Sequence, residues 1–116
     1  MGCPVIQWQM IVKDPEAESG FYASLFGWQV SSDNPLGYRT VDTGSAEGIP
    51  GGFWPSPPEG RNLVQLFIRV DSVPEYVSRA ERLGARTIIA PQTLPGGDVL
   101  AILQDPQEIP FGITGR

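Results

Sequence analysis

The sequence predicts an α+β fold in which two βαβββ modules form one curved mixed sheet with the helices on its convex side. Three observations predict it: a helical segment that occurs twice, an alternating strand before each copy, and Gly- and Pro-rich turns after each copy. The copies, Asp14–Gly27 and Asp71–Gly84, are offset by 57 residues in a chain of 116. One module is too small to fold alone, so we expect a single domain over residues 1–116, with modules at about 4–55 and 62–115.

The first module begins with Val5–Val12, whose residues alternate between two faces and predict a strand. Asp14 can cap the following helix, and Gly27 supplies a left-handed stop. Ala17, Phe21 and Leu25 recur every four residues, which predicts the apolar face of this helix. The expected remainder is a strand at 28–31, a turn at 33–37, a strand at 38–43 and a short strand around 52–54.

The second module repeats this plan from Leu63–Val70, a strand with Val64, Leu66, Ile68 and Val70 on its predicted buried face. Ser72 and Glu75 form a capping box for the second helix. Strands are expected at 87–90, 99–104 and 111–114, separated by turns at 95–98 and 105–108.

Composition excludes several classes of function. The formal net charge is −5 and the eight basic residues are scattered, so a nucleic-acid partner is not expected. No apolar run approaches the roughly 20 residues that span a bilayer, so no membrane partner is expected either. Cys3 is the single cysteine, which favours a reducing, cytoplasmic setting. The acidic balance mildly favours cationic small molecules as ligands.

A concave sheet face is the natural place for a ligand. Strand alternation puts Gln7, Gln9, Gln65, Phe67 and Arg69 on that face. Phe53, Trp54, Phe67 and Phe111 could add an aromatic wall around a planar ligand. The predicted ligand-binding set is therefore Gln7, Gln9, Gln65, Phe67, Arg69, Trp54, Phe53 and Phe111.

Each member of this set also has a structural interpretation. Gln7 and Gln65 could pair with each other or with water, since buried amides need partners in any case. Arg69 could form a salt bridge at the rim with Asp71 or Asp42, which is the favoured interpretation. The aromatic side chains could pack in the core or at a dimer contact, and Trp54, in a loop-like setting, could be a lid or an interface residue.

Several segments, in this order, resemble the vicinal oxygen chelate superfamily: FYASLFGW, GGFWP, RVDSVPEYVSRAERLGA, IIAPQTLPGG and DPQEIPFGI. That superfamily includes glyoxalase I, bleomycin-resistance proteins, fosfomycin-resistance enzymes and extradiol dioxygenases. The resemblance covers roughly residues 5 to 114 and is nearest to the small glyoxalase-like branch. Its members usually pair two chains, so the resemblance implies a homodimer.

The resemblance also implies where a metal would bind. In metal-dependent members one ligand lies on the first strand and one on the last strand of each half, and the matching first-strand positions here are Gln7 and Gln65. The matching fourth-strand positions fall within Gly52–Trp54 and near Gly112, where there is no carboxylate. The chain has no histidine, and two neutral amides cannot compensate for dehydrating a divalent cation. We therefore expect no metal and no other cofactor.

The function expected from the sequence is metal-free binding of a small organic molecule, with no catalytic residue assigned. One alternative is a glyoxalase-like lyase or dioxygenase with a non-standard or absent metal. Another is a non-catalytic interaction module whose cup is filled by its own side chains.

Overall fold

The computed structural model describes residues 2–33 and 37–116. Its elements in chain order are β1 (Val5–Val12), α1 (Pro15–Phe26), β2 (Gln29–Ser31), β3 (Arg39–Asp42), β4 (Gly51–Pro55), β5 (Leu63–Val70), α2 (Val73–Arg82), β6 (Arg86–Thr93), β7 (Val99–Gln104) and β8 (Pro110–Gly115). This order is βαβββ twice, so the predicted α+β class and doubled module are confirmed. Most of the predicted turn at 33–37 lies outside the described residues.

The helix ends form where the sequence predicts them. Asp14 Oδ1 accepts a hydrogen bond from the backbone N–H of Ala17 at 3.1 Å, and Ser72 Oγ accepts one from the N–H of Glu75 at 3.4 Å. Gly27 ends α1 with φ of 74°, a left-handed conformation that glycine adopts without strain. Neither helix in the described residues is long and apolar enough to cross a membrane.

The chain forms two compact units, Gln7–Gln65 and Met1–Ile6 with Leu66–Arg116. In the first, the strand order is β2-β3-β4-β1; β1 and β4 are parallel, and the other neighbours are antiparallel. In the second, the order is β5-β8-β7-β6, again with one parallel pair, β5 and β8. Within each unit the fourth strand of the module therefore lies directly beside its first strand.

The core of the second unit lies between α2 and the strands it covers. Val73 and Val77 of α2 pack with Val70, Leu103 and Ile113, and Phe111 joins this cluster from β8. The β5 prediction was wrong in its first half: Val64 and Leu66 are 58% and 46% exposed, whereas Gln65 and Phe67 are buried.

The first unit packs α1 on an aromatic cluster, and the predicted helix face was wrong. Tyr22 contacts Phe53 and Trp28, with ring centroids 6.0 and 5.4 Å away, and Trp8 lies against Phe53 at 6.1 Å. Phe21 and Leu25 are instead exposed. The buried side of α1 includes Ser19, whose hydroxyl donates to the Pro15 carbonyl oxygen at 2.6 Å and so needs no other partner.

Candidate functional site

Three glutamines in the unit spanning residues 7–65 form a polar cluster, which we call the glutamine face; Gln9 and Gln65 are buried and Gln7 is half-buried. Gln7 and Gln9 are two residues apart on β1, so their side chains leave the same side of the sheet. Gln65 Nε2 donates to Gln9 Oε1 at 3.4 Å, and these two side chains are 7% and 4% exposed. Gln7 Nε2 donates to Tyr38 Oη at 2.8 Å. Gln7 and Gln65 therefore do not bond each other: Gln7 bonds Tyr38, and Gln65 bonds Gln9.

Tyr38 and Trp54 complete this face. Gly52 of β4 lies opposite Gln9 in the β1–β4 register, and Trp54 follows it by two residues on the same side. The Tyr38 ring stacks on the Trp54 indole with centroids 4.6 Å apart and planes at 26°. The Tyr38 phenol also lies where a Cβ at Gly52 would be placed, together with the Arg39 carbonyl oxygen. The glycine is therefore what allows the Tyr38 ring to enter.

The indole N–H of Trp54 and the hydroxyl of Tyr38 differ in their hydrogen bonding: the hydroxyl has a partner and the N–H has none among the described residues. Trp54 Nε1 is buried and has no hydrogen-bond partner in the part of the chain that the structure describes. A buried donor left unpaired costs about 1–3 kcal/mol, so this atom marks a place where an acceptor would be stabilising. Burial raises the pKa of the Tyr38 phenol, while hydrogen bonds from Gln7 and Gln9 act in the opposite direction. Tyr38 is thus a neutral phenol at neutral pH.

The four aromatic residues predicted for a ligand wall separate onto different faces. Because side chains alternate along β4, Trp54 lies on the glutamine face, whereas Phe53 is fully buried among Trp8 and Tyr22 on the side of α1. In the other unit, Phe111 packs on the α2 core, and Phe67 lies on the opposite side of its sheet. The site proposed below therefore leaves out Phe53 and Phe111.

In the second unit, the Phe67 ring lies beside a glycine of the fourth strand, as Tyr38 does beside Gly52 in the first unit. Gly112 is its register partner on β8, and the Phe67 ring occupies the place of a side chain at Gly112. Phe67 is 2% exposed, so its ring is packing rather than a free surface. Arg69, two residues further on, is exposed.

The residues at the metal-ligand positions do not fit a divalent metal. Gln7 and Gln65 are neutral amides that already bond Tyr38 and Gln9. Gly52 and Gly112 carry no donor, and aromatic rings take the space beside them. Among residues 2–33 and 37–116, no three His, Cys, Asp or Glu side chains come together in a group that could hold a metal. Divalent cations require anionic oxygen, thiolate or imidazole donors, which this face does not supply.

A separate cavity of about 190 Å³ lies under the loop between β3 and β4. Its lining runs from Val41 to Pro50 and includes Asp42 and Glu47, but no residue of the glutamine face. Asp42 Oδ1 accepts from the Gly44 N–H and Ser45 Oγ from the Glu47 N–H, at 2.9 and 3.0 Å. These contacts shape the loop itself.

Sequence reasoning missed Tyr38 as a site residue. It was predicted only as the first residue of a strand at 38–43, and no neighbouring residue in the sequence indicates a role in a binding site. The sequence gives only an indirect indication. Gly52 has no side chain on the face that Gln9 and Trp54 share, and because protein interiors are closely packed, a side chain from elsewhere is expected to fill that space.

Comparison with known proteins gives a family and a fold. A family model described as a glyoxalase-like domain matches residues 7–114. No curated protein matches the chain. Among solved structures, a hypothetical protein from Bacillus halodurans C-125 is similar with a TM-score of 0.69 and 14% identity, covering 100% of this chain and 96% of its own. A protein described as NAD-dependent benzaldehyde dehydrogenase from Legionella pneumophila is also similar, with a TM-score of 0.67 and 21% identity. That match covers 94% of this chain and 96% of the Legionella chain.

Methylmalonyl-CoA epimerase of Streptomyces coelicolor, solved with 2-nitronate-propionyl-CoA, is also similar. Its TM-score is 0.60 and its identity 13%, with 96% of this chain and 95% of the epimerase covered. At such identities the likeness shows the fold alone.

Proposed function

The chain belongs to the glyoxalase-like domain family of the vicinal oxygen chelate superfamily, and on that premise we propose that it binds a small organic molecule without a metal ion. The observation that carries the proposal is the glutamine face with Trp54. Neutral amides, an aromatic surface and a buried, unpaired indole N–H are grouped on one side of a sheet. Such a mixture of apolar surface and a few polar groups is typical of small-molecule sites.

Binding is favoured over a lyase or dioxygenase reaction. Those reactions in the superfamily use metal ligands, and the matching positions here carry amides and glycines. A metal-free proton transfer would need a base within hydrogen-bond reach of the ligand. The titratable side chain inside the cluster is Tyr38, whose burial favours the protonated form. Asp42, four residues further along the same side of β3, is exposed and accepts a hydrogen bond from the Gly44 N–H. A phenol with a raised pKa can donate a hydrogen bond but is a poor base at neutral pH.

The second candidate is an interaction module whose ligand space is filled by its own side chains. The rings of Tyr38 and Phe67 favour it, because each fills the space beside a glycine on the fourth strand of its module. The two functions differ in what the glutamines do: they contact a ligand in one case, and only support packing in the other.

A thermal-shift screen of small cationic and aromatic compounds separates the two functions. The test protein is Gln7→Ala/Gln65→Ala, and the matched control is Gln92→Ala/Gln107→Ala, which removes two exposed amides. We expect compounds that stabilise the wild type to bind the control equally well and the test variant more weakly. Unchanged affinity in the test variant would contradict the site, and loss of stability with no ligand found for any protein would favour the interaction module.

We further propose that the two modules act as one domain and that two chains pair as a homodimer. Exposed apolar side chains on α1 support pairing: Phe21, Leu25 and Phe26 are each more than half exposed. Exposed apolar patches often mark interfaces. Sedimentation equilibrium of the wild type and of Leu25→Glu tests this, with a shift toward monomer expected for the variant. A wild type that is monomeric at all concentrations would overturn pairing.

A further inference from the structure

The space between Gly52 and the Trp54 indole, which Tyr38 occupies, indicates the chemical class of the ligand. This inference rests on the proposed binding function. We infer that this space takes a planar, uncharged aromatic group that bears an oxygen atom, and that the Tyr38 ring holds the place of this group when no ligand is bound. Tyr38 thus acts as an internal competitor. Three features of the glutamine face support the inference: its shape, its donors and its lack of charge.

The shape of the space is flat. The Trp54 indole forms one wall, and the Tyr38 ring lies on it at a centroid distance of 4.6 Å and an interplanar angle of 26°. Offset stacking at this distance is a favourable arrangement for aromatic pairs. Below the ring, Gly52 offers backbone without a side chain. A saturated ring is thicker than a phenol and would stack less closely on the indole.

The donors are placed for an oxygen acceptor. Gln7 Nε2 donates to the Tyr38 hydroxyl oxygen at 2.8 Å, so an amide donor already points at the position of an aryl oxygen. Trp54 Nε1 is a second buried donor, without a partner among the described residues. An incoming ligand with an aryl oxygen at the place of Tyr38 Oη would keep the Gln7 bond. Tyr38 Oη does not accept from Trp54 Nε1, so a ligand would need a second oxygen, outside the stacked ring, to give that donor an acceptor.

None of the described side chains that bond or stack within this cluster carries a charge. The polar side chains of the cluster are the amides of Gln7, Gln9 and Gln65 and the neutral phenol of Tyr38. Thr40 and Asp42 follow on the same side of β3, but both are exposed, and Asp42 accepts from the Gly44 N–H. Arg39 follows Tyr38 in the chain, but its register partner is Phe53, which places it on the opposite side of the sheet. Burying a carboxylate or an ammonium group here would therefore leave it without a counter-charge. The net charge of −5 alone favours cationic ligands, whereas this cluster favours an uncharged one.

Tyr38 can leave without disrupting the sheet. It precedes the first paired residue of β3, because the β3–β4 register begins at Arg39. It also follows Gly37, whose φ of 73° lies in the left-handed region. Rotation about the side-chain torsions of Tyr38 would expose the Trp54 face; it would break the side-chain bond from Gln7 but no backbone hydrogen bond between β3 and β4.

The test measures how wild type, Tyr38→Ala and the control Tyr76→Ala bind three probes by calorimetry. The probes are 4-methylphenol, which reproduces the tyrosine side chain, 4-methylcyclohexanol, which has the hydroxyl on a non-planar ring, and benzoate, which is planar and charged. We expect Tyr38→Ala to bind 4-methylphenol at least about tenfold more tightly than wild type does, and about tenfold more tightly than it binds either other probe. Tyr76→Ala should match wild type. The indole N–H resonance of Trp54, assigned with Trp54→Phe, should shift on binding.

Equal affinity of Tyr38→Ala for the phenol and the cyclohexanol, or equal affinity of wild type and Tyr38→Ala for the phenol, would overturn the inference. If Tyr38→Ala does not fold, Tyr38→Leu replaces it, since leucine fills part of the space but cannot stack. Failure here and failure of the proposed function are distinguishable. Compounds that bind wild type through Gln7 and Gln65 but are insensitive to Tyr38 would leave binding intact and reject only the aromatic class.

Discussion

The hydroxyl oxygen and Cζ of Tyr38 lie in the volume that a side chain at Gly52 would need, beside the carbonyl oxygen of Arg39. The same relationship holds between Phe67 and Gly112 in the other unit. Both glycines lie on the fourth strand of a module, beside the first strand. The resemblance to metal-dependent members of the superfamily predicts the fourth-strand ligand positions within Gly52–Trp54 and near Gly112. In each module, atoms of an aromatic side chain therefore fill the space that a side chain at this glycine would need.

The first prediction concerns Gly112. A methyl group there would overlap Cε1 and Cζ of the Phe67 ring, and a buried ring on β5 has little room to move. We expect Gly112→Ala to lower the free energy of unfolding by about 1–3 kcal/mol, as overpacked cores do. Urea denaturation monitored by circular dichroism measures it.

A double variant controls that result. In Phe67→Leu/Gly112→Ala the smaller side chain makes room for the new methyl group. We therefore expect the loss in the double variant to be smaller than the sum of the two single losses. Strict additivity would show that the Phe67 ring is not what a side chain at position 112 meets.

The second prediction follows from the raised pKa of Tyr38. In the unfolded chain its phenol titrates near the ordinary value of 10.0, and in the folded chain it titrates higher because it is buried. Below that ordinary value both states keep the proton, so the contribution of Tyr38 to stability is fully present. As pH rises from there through the folded pKa, the unfolded state loses its proton first, and stability falls.

Unfolding free energies between about pH 8 and pH 11 test this prediction. The wild type should lose more stability across that window than Tyr38→Phe, which keeps the ring but has no proton to lose. Parallel pH profiles for the two proteins would contradict a buried, proton-retaining phenol. Ultraviolet titration of phenolate in the folded protein gives the folded pKa directly.

The third prediction contrasts two leucines. Leu103 has no exposed surface and belongs to the α2 core, whereas Leu25 on α1 is 59% exposed. We expect Leu103→Ala to destabilise the chain by about 2–5 kcal/mol. Leu25→Ala should change stability by less than about 0.5 kcal/mol in a monomer. At concentrations where two chains pair, the proposed homodimer predicts a larger, concentration-dependent loss for Leu25→Ala, because this side chain would then be buried between the chains.

The fold was predictable because its signals are local. Asp14, Gly27 and Ser72 define helix ends through contacts within a few residues, and the repeat of the segment at a fixed offset gives the doubled module. Local signals do not decide which side of α1 is buried. Apolar residues occur all round that helix, so the choice depends on the aromatic cluster of Trp8, Trp28 and Phe53 that Tyr22 meets.

The candidate site was predictable only in part, for a related reason. Gln7, Gln9 and Gln65 share a face by simple alternation, but the β5 residues that are buried depend on partners elsewhere. Gln65 is buried because Gln9 satisfies its amide, while Val64 is exposed. Tyr38 enters the site through the β3–β4 register, which places Thr40 opposite Gly52. The pairing of β3 with β4 cannot be read from one sequence, because it depends on residues far apart in the chain.

The last prediction concerns metal retention. After incubation with nickel, zinc, manganese or ferrous iron and desalting, we expect far less than one ion per chain, because the matching positions offer two engaged amides and two glycines. Divalent cations are held by several anionic or imidazole donors, and neutral amides alone do not offset the cost of dehydrating the ion. The Gln7→Ala/Gln65→Ala variant separates specific from adventitious binding. Retention that survives in this variant belongs to surface carboxylates, whereas near-stoichiometric retention that it abolishes would overturn metal-free binding and justify assays for lyase and dioxygenase activity.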